Sequence, residues 1–264
     1  MGHDAGGGSV IRIVVEPEQF TGDRLILTPE QEHYLFRVMR MKPKTSFEAI
    51  LSGTQIVHCV TTQNSHLAQC VDVRPVCGNP RVFLAQALLK KDLFSEIVER
   101  GTEAGICRFY PLVTQRTIVR EISEAKWQRW HTIAKEATEQ SQRILVPEIS
   151  QPVSLQALFD IKIPHKVMLD PQGRNIWDWV NDRTPTRRFE CLLTVGPEGG
   201  FSEFERQQML KHGFEAVSFG SYVYRAKNAG VFAAALLEAW QGSSAATPKE
   251  SEAYSQFAQD GDDF

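Results

Sequence analysis

Two segments near the carboxyl end of the sequence hold the residues best suited to chemistry. Residues 196–200 read Gly-Pro-Glu-Gly-Gly. Glycine has no Cβ, so it lets backbone amides and carbonyls approach a ligand closely. The second segment, residues 219–225, ends on Arg225. A cation at that place could stabilise negative charge that develops during a reaction. These residue types indicate backbone binding in one segment and charge stabilisation in the other.

Each segment is predicted to lie between a strand and a helix. Leu192–Val195 and Ala216–Phe219 are short apolar runs bounded by turn residues, which favours buried strands. Ser202 and Glu205 have the spacing of a capping box, so a helix is predicted to begin there. Ligands of open α/β sheets bind at the carboxyl ends of strands, so both segments are placed where a ligand would bind. The loop matches neither a P-loop nor a dinucleotide fingerprint.

Each segment also has a purely structural interpretation. Residues 196–200 could form an ordinary connection between a strand and a helix, because most such connections bind nothing. Arg225 could satisfy carbonyls at the entrance of the last helix, which is predicted to start near Asn228 and to run through Trp240. The Ser202–Glu205 pair is fully explained by capping.

The elements around these segments predict a mainly parallel sheet covered on both faces. Further strands are predicted at Val82–Leu88, Ile106–Val113 and Val167–Leu169. Asp92 is predicted to cap a helix that ends at Gly105. Another helix is predicted from residues that recur at helical spacing and suit a core, namely Trp127, Trp130, Ala134 and Ala137. Arg143 is predicted to cap the end of that helix.

The first part of the chain has a different pattern. Its strand-like runs are short and separated by turn residues, which predicts a small β-barrel or sandwich. The runs are Arg12–Val15, Arg24–Leu27, Phe47–Leu51, Gln55–Val60 and Cys70–Arg74. One helix interrupts them, opened by Thr28 and Pro29 and closed by Pro43. Its apolar stripe is predicted to consist of Leu35, Val38 and Met39.

Basic residues cluster in two places. Arg37 and Arg40 share a face of the interrupting helix, and arginine forks match phosphates in a bidentate way. A solvated helix surface is the alternative interpretation of that face. Arg108, Arg116 and Arg120 form a second basic stretch with the same two interpretations.

Composition is that of an ordinary globular protein, with 264 residues, 42% hydrophobic and 23% charged, and a formal net charge of −3. The five cysteines show no paired spacing, so we expect reduced thiols in a cytoplasmic protein and no zinc site. No metal and no membrane partner are expected, because no histidine pair has ligand spacing and no apolar run is long enough.

Several segments together resemble the RsmE family of ribosomal RNA methyltransferases, within the SPOUT superfamily. The most specific is Gly196–Gly200, and the resemblance covers about residues 11–240. The other matching segments are 33–43, 86–91, 103–106, 111–116, 137–143 and 146–149.

The resemblance implies an α/β fold in which a PUA-like β-barrel precedes a SPOUT methyltransferase domain with a trefoil knot. The implied domains are the RNA-binding barrel (11–79) and the knotted domain (80–240). Composition predicts a disordered start (1–10), a linker near Cys77–Pro80 and an acidic disordered tail (241–264). It also implies methylation of N3 of a uridine in 16S ribosomal RNA, S-adenosylmethionine as cofactor and a homodimer.

Site residues are implied by the same resemblance. Arg225 is the expected catalytic residue, and Arg12, Arg37 and Arg40 are expected to hold RNA phosphates. The expected cofactor-binding residues are Leu169, Val195, Gly196, Gly200, Phe219, Gly220, Val223 and Tyr224.

The chain departs from the family pattern at two positions of the last segment. Tyr222 stands where the family has an arginine, and Lys227 stands where it has a glutamate. These departures leave two alternatives open: an RNA-binding protein with an inactive methyltransferase domain, or a methyltransferase that acts on another RNA.

Overall fold

The computed structural model of the chain describes residues 10–76, 82–184 and 189–242, and its strands form two sheets. We call them the N-terminal sheet, of six strands, and the C-terminal sheet, of seven. The predicted linker at Cys77–Pro80 lies outside the described residues, as do nearly all of the predicted disordered start and acidic tail.

The N-terminal sheet confirms the strands predicted for the first part of the chain. Its strands are β1 (Arg12–Val14), β2 (Phe20–Thr21), β3 (Arg24–Ile26), β4 (Ser46–Leu51), β5 (Gln55–Thr61) and β6 (Leu67–Pro75). Their order is β1-β4-β5-β6-β3-β2, parallel between β1 and β4 and antiparallel elsewhere. Strand residues alternate between the two faces of a sheet, and in β5 both Val57 and Cys59 point into the core.

The helix between β3 and β4 is shorter than predicted. α1 (Pro29–His33) begins with a capping box between Thr28 and Gln31 and then gives way to a π-helical turn over Tyr34–Val38. The predicted apolar stripe is wrong in part: Leu35 is fully buried, but Val38 is 57% and Met39 is 41% exposed. The cause is the π turn, in which Met39 N–H donates to Tyr34 C=O. This turn holds one residue more than an α-helical turn, so it rotates Val38 and Met39 out of the 3.6-residue period.

The C-terminal sheet is parallel in all the pairings found, which confirms the prediction. Its strands are β7 (Val82–Ala87), β8 (Ile106–Val113), β9 (Glu148–Ile149), β10 (Val153–Ser154), β11 (His165–Asn175), β12 (Cys191–Val195) and β13 (Phe214–Ser218). Their order is β10-β8-β7-β12-β11-β13, with β9 paired to β8.

Helices cover both faces of this sheet, as predicted. They are α2 (Leu93–Glu103), α3 (Glu124–Gln140), α4 (Leu155–Phe159), α5 (Ile176–Asn181), α6 (Glu203–Lys211) and α7 (Ala226–Gly242). One core cluster joins α2, α3, α5 and α7 to the sheet and includes Trp130 and Ala134, while the other joins α4 and α6 to the opposite face. Within the described residues, no helix combines the length and apolar character needed to cross a membrane.

Three helix ends differ from the sequence prediction. Asp92 lies at the N-cap of α2, but its carboxylate accepts a bond from the Ser95 hydroxyl instead of capping the backbone. α7 begins two residues before Asn228. Arg143 does not cap α3, because its guanidinium donates to the carbonyl of Glu103 at the end of α2.

The two sheets are joined through α3 and the segment after it. Glu139 on α3 accepts a bond of 2.7 Å from the backbone N–H of Val14, and burial raises the pKa of this carboxyl. Arg12 donates to the carbonyl of Gln142, and Gly53 donates to Ile144 at 2.7 Å. Hydrogen bonds from several strands and turns thus fix the N-terminal sheet against α3.

Candidate functional site

A cleft of about 1040 Å³ lies at the carboxyl ends of β11, β12 and β13, where open α/β sheets bind ligands. Five stretches of chain contribute its lining: the turn after β7, Arg116 after β8, the end of β11, the loop after β12 with the start of α6, and the segment that leads into α7. Both segments singled out in the sequence, the glycine loop and the stretch ending on Arg225, therefore line one cleft.

The glycine loop, residues 196–200, folds back on itself. A Cβ on Gly196 would lie 3.1 Å from both the carbonyl carbon of Gly200 and the nitrogen of Phe201, so only glycine fits without displacement of the loop. Gly200 has a φ of +67°, and its N–H donates to the Pro197 carbonyl at 2.8 Å. The loop therefore has a backbone path that its glycines permit.

Arg116, in the connection that follows β8, holds this loop in place. Its Nη1 donates to the carbonyl of Gly199 at 2.6 Å and to that of Phe201 at 3.3 Å. In the sequence, Arg116 stood out only as a member of a basic stretch with two interpretations. A bond between residues 83 positions apart leaves no local signal in the sequence, so its role as a support of the loop was missed.

The predicted capping box at the start of α6 is confirmed. The Ser202 hydroxyl accepts from Glu205 N–H at 3.2 Å, and Glu205 Oε2 accepts from Ser202 N–H at 2.9 Å. The other carboxylate oxygen of Glu205 accepts from the backbone of Gln115 at 2.7 Å. Glu205 thus fixes the end of the glycine loop and also the segment that carries Arg116.

The end of β11 bulges into the cleft. Leu169 and Arg174 both lie opposite Val217 of β13, so the residues between them project from the sheet. Asp170 on this bulge binds Arg206 of α6, with 2.5 Å between Oδ2 and Nε. The same hydrogen bond raises the pKa of Arg206, which keeps its charge and holds the bulge against α6.

Aromatic side chains line the segment between β13 and α7. The ring of Tyr224 packs edge-on against Phe219, with 4.8 Å between centroids, and against Phe232 at 5.1 Å. Val223 also lines the cleft, whereas Gly220 lies outside the lining, in the turn after β13. Of the eight cofactor-binding residues expected from the sequence, Gly220 is the one that the structure does not bring to the cleft.

Arg225 lines the cleft with an exposed side chain. Within the described residues, its guanidinium makes no hydrogen bond and no ion pair. Its backbone carbonyl instead accepts from the N–H groups of Asn228 and Ala229, which begins α7. The alternative in which the side chain satisfies carbonyls at the helix entrance is therefore not observed, and the charge faces the cleft.

Lys227, two residues further on, is fixed in place. Its Nζ lies 2.8 Å from Glu96 Oε2, which joins the first turn of α7 to α2. The hydrogen bond from Lys227 is the main reason that the pKa of Glu96 is lowered. The basic residue noted at this position in the sequence is thus compensated by an acid 131 positions away.

The three N-terminal arginines expected to bind phosphate have different surroundings. Arg12 binds Glu48 at 2.5 Å, and only 17% of its side chain is exposed. Arg37 and Arg40 are exposed, and neither pairs with a carboxylate among the described residues. Arg37 and Arg40 therefore present available charge, while most of the charge of Arg12 is used within the protein.

A search of the described ranges finds no group of three His, Cys, Asp or Glu side chains that could hold a metal ion. Among the described cysteines, Cys59, Cys70 and Cys191 are free thiols.

Comparison with known sequences gives a consistent set of relatives. A model of the RNA methyltransferase domain family matches residues 77–238. Ribosomal RNA small subunit methyltransferase E of Synechocystis sp. is 32% identical over 235 residues, which cover 86% of this chain and 77% of that protein. The protein of the same name from Aquifex aeolicus is 29% identical, over 83% of this chain and 96% of that protein.

Solved structures show the same likeness. A Legionella pneumophila protein, assigned as a methyltransferase and solved with bound SAM, is 28% identical with a TM-score of 0.75, over 88% of this chain and 98% of its own. Ribosomal RNA small subunit methyltransferase E of Neisseria gonorrhoeae, solved with S-adenosyl methionine, has a TM-score of 0.75 at 24% identity over the same shares. The chain therefore shares its α/β fold with solved methyltransferase structures.

Proposed function

The chain belongs to the ribosomal RNA small subunit methyltransferase E family of RNA methyltransferases, and from this membership we propose that it methylates N3 of a uridine in 16S ribosomal RNA with S-adenosylmethionine. One observation of the structure carries the proposal. The glycine loop and the exposed guanidinium of Arg225 line the same cleft at the carboxyl edge of a parallel sheet.

The lining of the cleft fits S-adenosylmethionine. Leu169, Val195 and Phe219 offer apolar walls for an adenine ring and a methylene chain, and they lie beside a loop whose backbone is open to a ligand. The residues proposed to hold the cofactor are Leu169, Val195, Gly196, Gly200, Phe219, Gly220, Val223 and Tyr224. Gly220 would act through the turn that it forms. When bound, the cofactor supplies an electrophilic methyl group on a sulfonium sulfur.

Arg225 has the proposed catalytic role. The uridine imide would give up its proton to water, and negative charge would develop on N3 and the neighbouring carbonyl oxygens. N3 would then take the methyl group as the bond from the methyl carbon to sulfur breaks. A guanidinium that faces the cleft stabilises this charge as it develops. The rigid loop and the bulge of β11 contribute alignment, because a reaction of two bound partners gains most from correct orientation.

The target base must reach the cleft unpaired, because the N3 atom of a paired uridine is engaged in its base pair. We propose that residues 11–79 form a PUA-like barrel that binds RNA, and that residues 80–240 form the methyltransferase domain. Arg37 and Arg40 would carry most of the phosphate binding, with a smaller share for Arg12. The substrate makes the cytoplasm the proposed place of action.

Two further features of the fold belong to the proposal. We propose a trefoil knot around the cleft, which the family resemblance implies. We also propose a homodimer, which is supported by exposed apolar side chains near the cleft: Tyr222 is 77%, Val223 76% and Phe232 45% exposed. Light scattering of the purified protein tests the dimer, and a monomer at micromolar concentration would contradict it.

The Lys227–Glu96 pair bears on the alternative of an inactive, RNA-binding protein. That alternative rests on a basic residue at a position where the family has an acid. Because Glu96 compensates the charge of Lys227, the basic residue does not add a free cation to the cleft. The pair thus favours an active enzyme over a domain that only binds RNA.

The experiment is methylation in vitro followed by mass spectrometry. Small ribosomal subunits from cells that lack the modification are incubated with the protein and S-adenosylmethionine, and the RNA is digested. We expect 3-methyluridine at one position. Binding of cofactor and RNA without any methyluridine would support the inactive protein, and methylation confined to another RNA would support the third interpretation.

A further inference from the structure

The acidic side chains of the cleft are all engaged. Asp170 and Glu203 both bind Arg206, at 2.5 Å and 3.0 Å. Glu198 Oε1 accepts from the backbone N–H of Lys90 at 3.2 Å. Asp170, Glu198 and Glu203 are the carboxylates among the lining residues that the structure describes, and Glu198 is the one of the three that pairs with no described cation.

The basic side chains of the same cleft are not all engaged. Arg206 binds the two carboxylates, Lys227 binds Glu96, and Arg116 donates to carbonyls of the glycine loop. Lys90 and Lys91, on the turn after β7, are exposed and line the cleft. Like Arg225, their side chains form no ion pair and no hydrogen bond with any residue of the described ranges.

This excess of positive charge does not match the cofactor. S-adenosylmethionine carries a sulfonium, an ammonium and one carboxylate, so its net charge is positive and it does not account for free cations in the cleft. Free lysines at the entrance of a cleft match a polyanion, and phosphate neutralisation by lysine and arginine dominates the binding of nucleic acids. Arg225 has a proposed partner in the reacting base, which leaves Lys90 and Lys91 for another part of the ligand.

The turn that carries the two lysines is held at a defined place. Lys91 has a φ of +59°, a left-handed conformation that non-glycine residues seldom adopt. The bond from Lys90 N–H to Glu198 ties the turn to the glycine loop. Such a conformation persists where the surrounding structure fixes it, and such positions cluster at ligand sites.

We propose that Lys90 and Lys91 bind RNA phosphates next to the target nucleotide. They would form a second phosphate-binding site, separate from Arg37 and Arg40. The proposal rests on the proposed function and adds to it a substrate-positioning role for two residues. Because Glu198 joins this turn to the glycine loop, the residues that bind the phosphates and those that bind the cofactor would be held together by a direct hydrogen bond.

The test compares a double variant, K90Q/K91Q, with the charge-retaining K90R/K91R and with K162Q. Lys162 is exposed and lies just before β11, at the opposite edge of the sheet from the cleft, so it serves as the matched control. Three quantities are measured: the Kd for small-subunit RNA at several salt concentrations, kcat and KM for methylation, and cofactor affinity by calorimetry.

For K90Q/K91Q we expect RNA binding weakened on the order of tenfold at moderate salt, and a salt dependence of log Kd reduced by about one per lysine. The KM for RNA rises to match, while kcat and cofactor affinity stay near the wild-type values. K90R/K91R and K162Q behave as wild type.

An unchanged salt dependence in K90Q/K91Q would overturn the proposal, and so would an equal loss in K162Q or a loss of cofactor binding. The wild-type protein distinguishes this failure from failure of the proposed function. If the wild type methylates small-subunit RNA and the double variant does so with an unchanged KM, only the role of the lysines is wrong.

Discussion

Arg12 of the N-terminal sheet and Arg225 of the cleft have opposite surroundings. In the N-terminal sheet, Glu48 is 2% exposed and binds Arg12 at 2.5 Å and Arg74 at 3.0 Å. At the cleft, Arg225 is exposed and pairs with no carboxylate in the part of the chain that the structure describes. The charge of Arg12 is satisfied inside the protein, and that of Arg225 is open to a ligand.

The difference shows that residue type alone does not assign a role to an arginine. Arg12 and Arg225 were both predicted to act on RNA, yet only Arg225 has its charge available in the folded chain. A buried carboxylate turns a guanidinium into a structural element, because breaking such a pair leaves an uncompensated charge. Mutations at the cleft should therefore change activity, and mutations in the N-terminal sheet should change the free energy of unfolding.

The largest effect is expected from R225A. Removal of a group that stabilises developing negative charge lowers kcat by about 10²–10³-fold, or about 2.7–4 kcal/mol in the transition state. The free energy of unfolding should change little, because the side chain forms no hydrogen bond and no ion pair with the residues that the structure describes. Single-turnover methylation and urea unfolding measure the two quantities side by side.

The conservative variant R225K sharpens this prediction. Lysine keeps the charge but loses the planar fork, so we expect activity between those of the wild type and R225A. Wild-type activity in R225A would remove Arg225 from the mechanism and would abolish the contrast between the two regions.

The next largest effect is expected from E48A, and it concerns stability. Removal of this carboxylate leaves Arg12 and Arg74 unpaired, at a cost of about 2–3 kcal/mol, below the range for a fully buried pair because Arg74 is partly exposed. Methyl transfer per folded molecule should be preserved. Urea unfolding measures the loss.

E148A is the matched control for E48A. Glu148 is 70% exposed and pairs with Arg108 at the surface, so its removal should cost at most about 1 kcal/mol. Equal losses in the two variants would mean that burial of Glu48 does not set the strength of its ion pairs.

A smaller effect is expected at the junction of α2 and α7. E96Q removes the partner of Lys227, and because this pair is partly exposed we expect only a loss of activity of about two- to fivefold. The exchange E96K/K227E should recover part of it. If E96Q has no effect on kcat or KM, the pair does not position the segment that carries Arg225.

The smallest effect concerns Glu139, the carboxyl between α3 and the N-terminal sheet. Burial raises its pKa, so the folded state favours the protonated form, and stability is lost as the pH rises through the raised pKa. E139Q keeps an acceptor for Val14 N–H without ionising. We expect E139Q to be more stable than wild type at about pH 8, with a difference that shrinks as the pH falls through the raised pKa toward the ordinary glutamate value of 4.5.

Thermal unfolding of the two proteins at several pH values checks this prediction. A constant difference across the range would mean that the stability effect does not come from ionisation of Glu139.

Local patterns were enough to predict much of the fold. The capping box of Ser202 and Glu205 and the apolar runs of β7, β8 and β12 are signals within a few residues, and the structure confirms them. The convergence of the glycine loop and Arg225 was predictable from one rule of parallel sheets, since both segments were placed after strands.

Pairs distant in the sequence could not be predicted in this way. The partners of Arg116, Lys227 and Arg143 lie 83, 131 and 40 positions away, and no periodicity connects them. The prediction of a buried Val38 failed for a different reason, because a single π turn shifts the phase of a helix without a clear mark in the sequence.

The bonds that fix the N-terminal sheet to α3 have a geometric consequence. Val14 and Gly53 are bonded to α3 and to the segment after it. Arg37 and Arg40, between β3 and β4 of the N-terminal sheet, therefore keep a constant separation from the cleft. An RNA that contacts both surfaces is then held at two points whose separation is fixed. The nucleotide presented to the cleft would be selected by its distance along a folded RNA as much as by its identity.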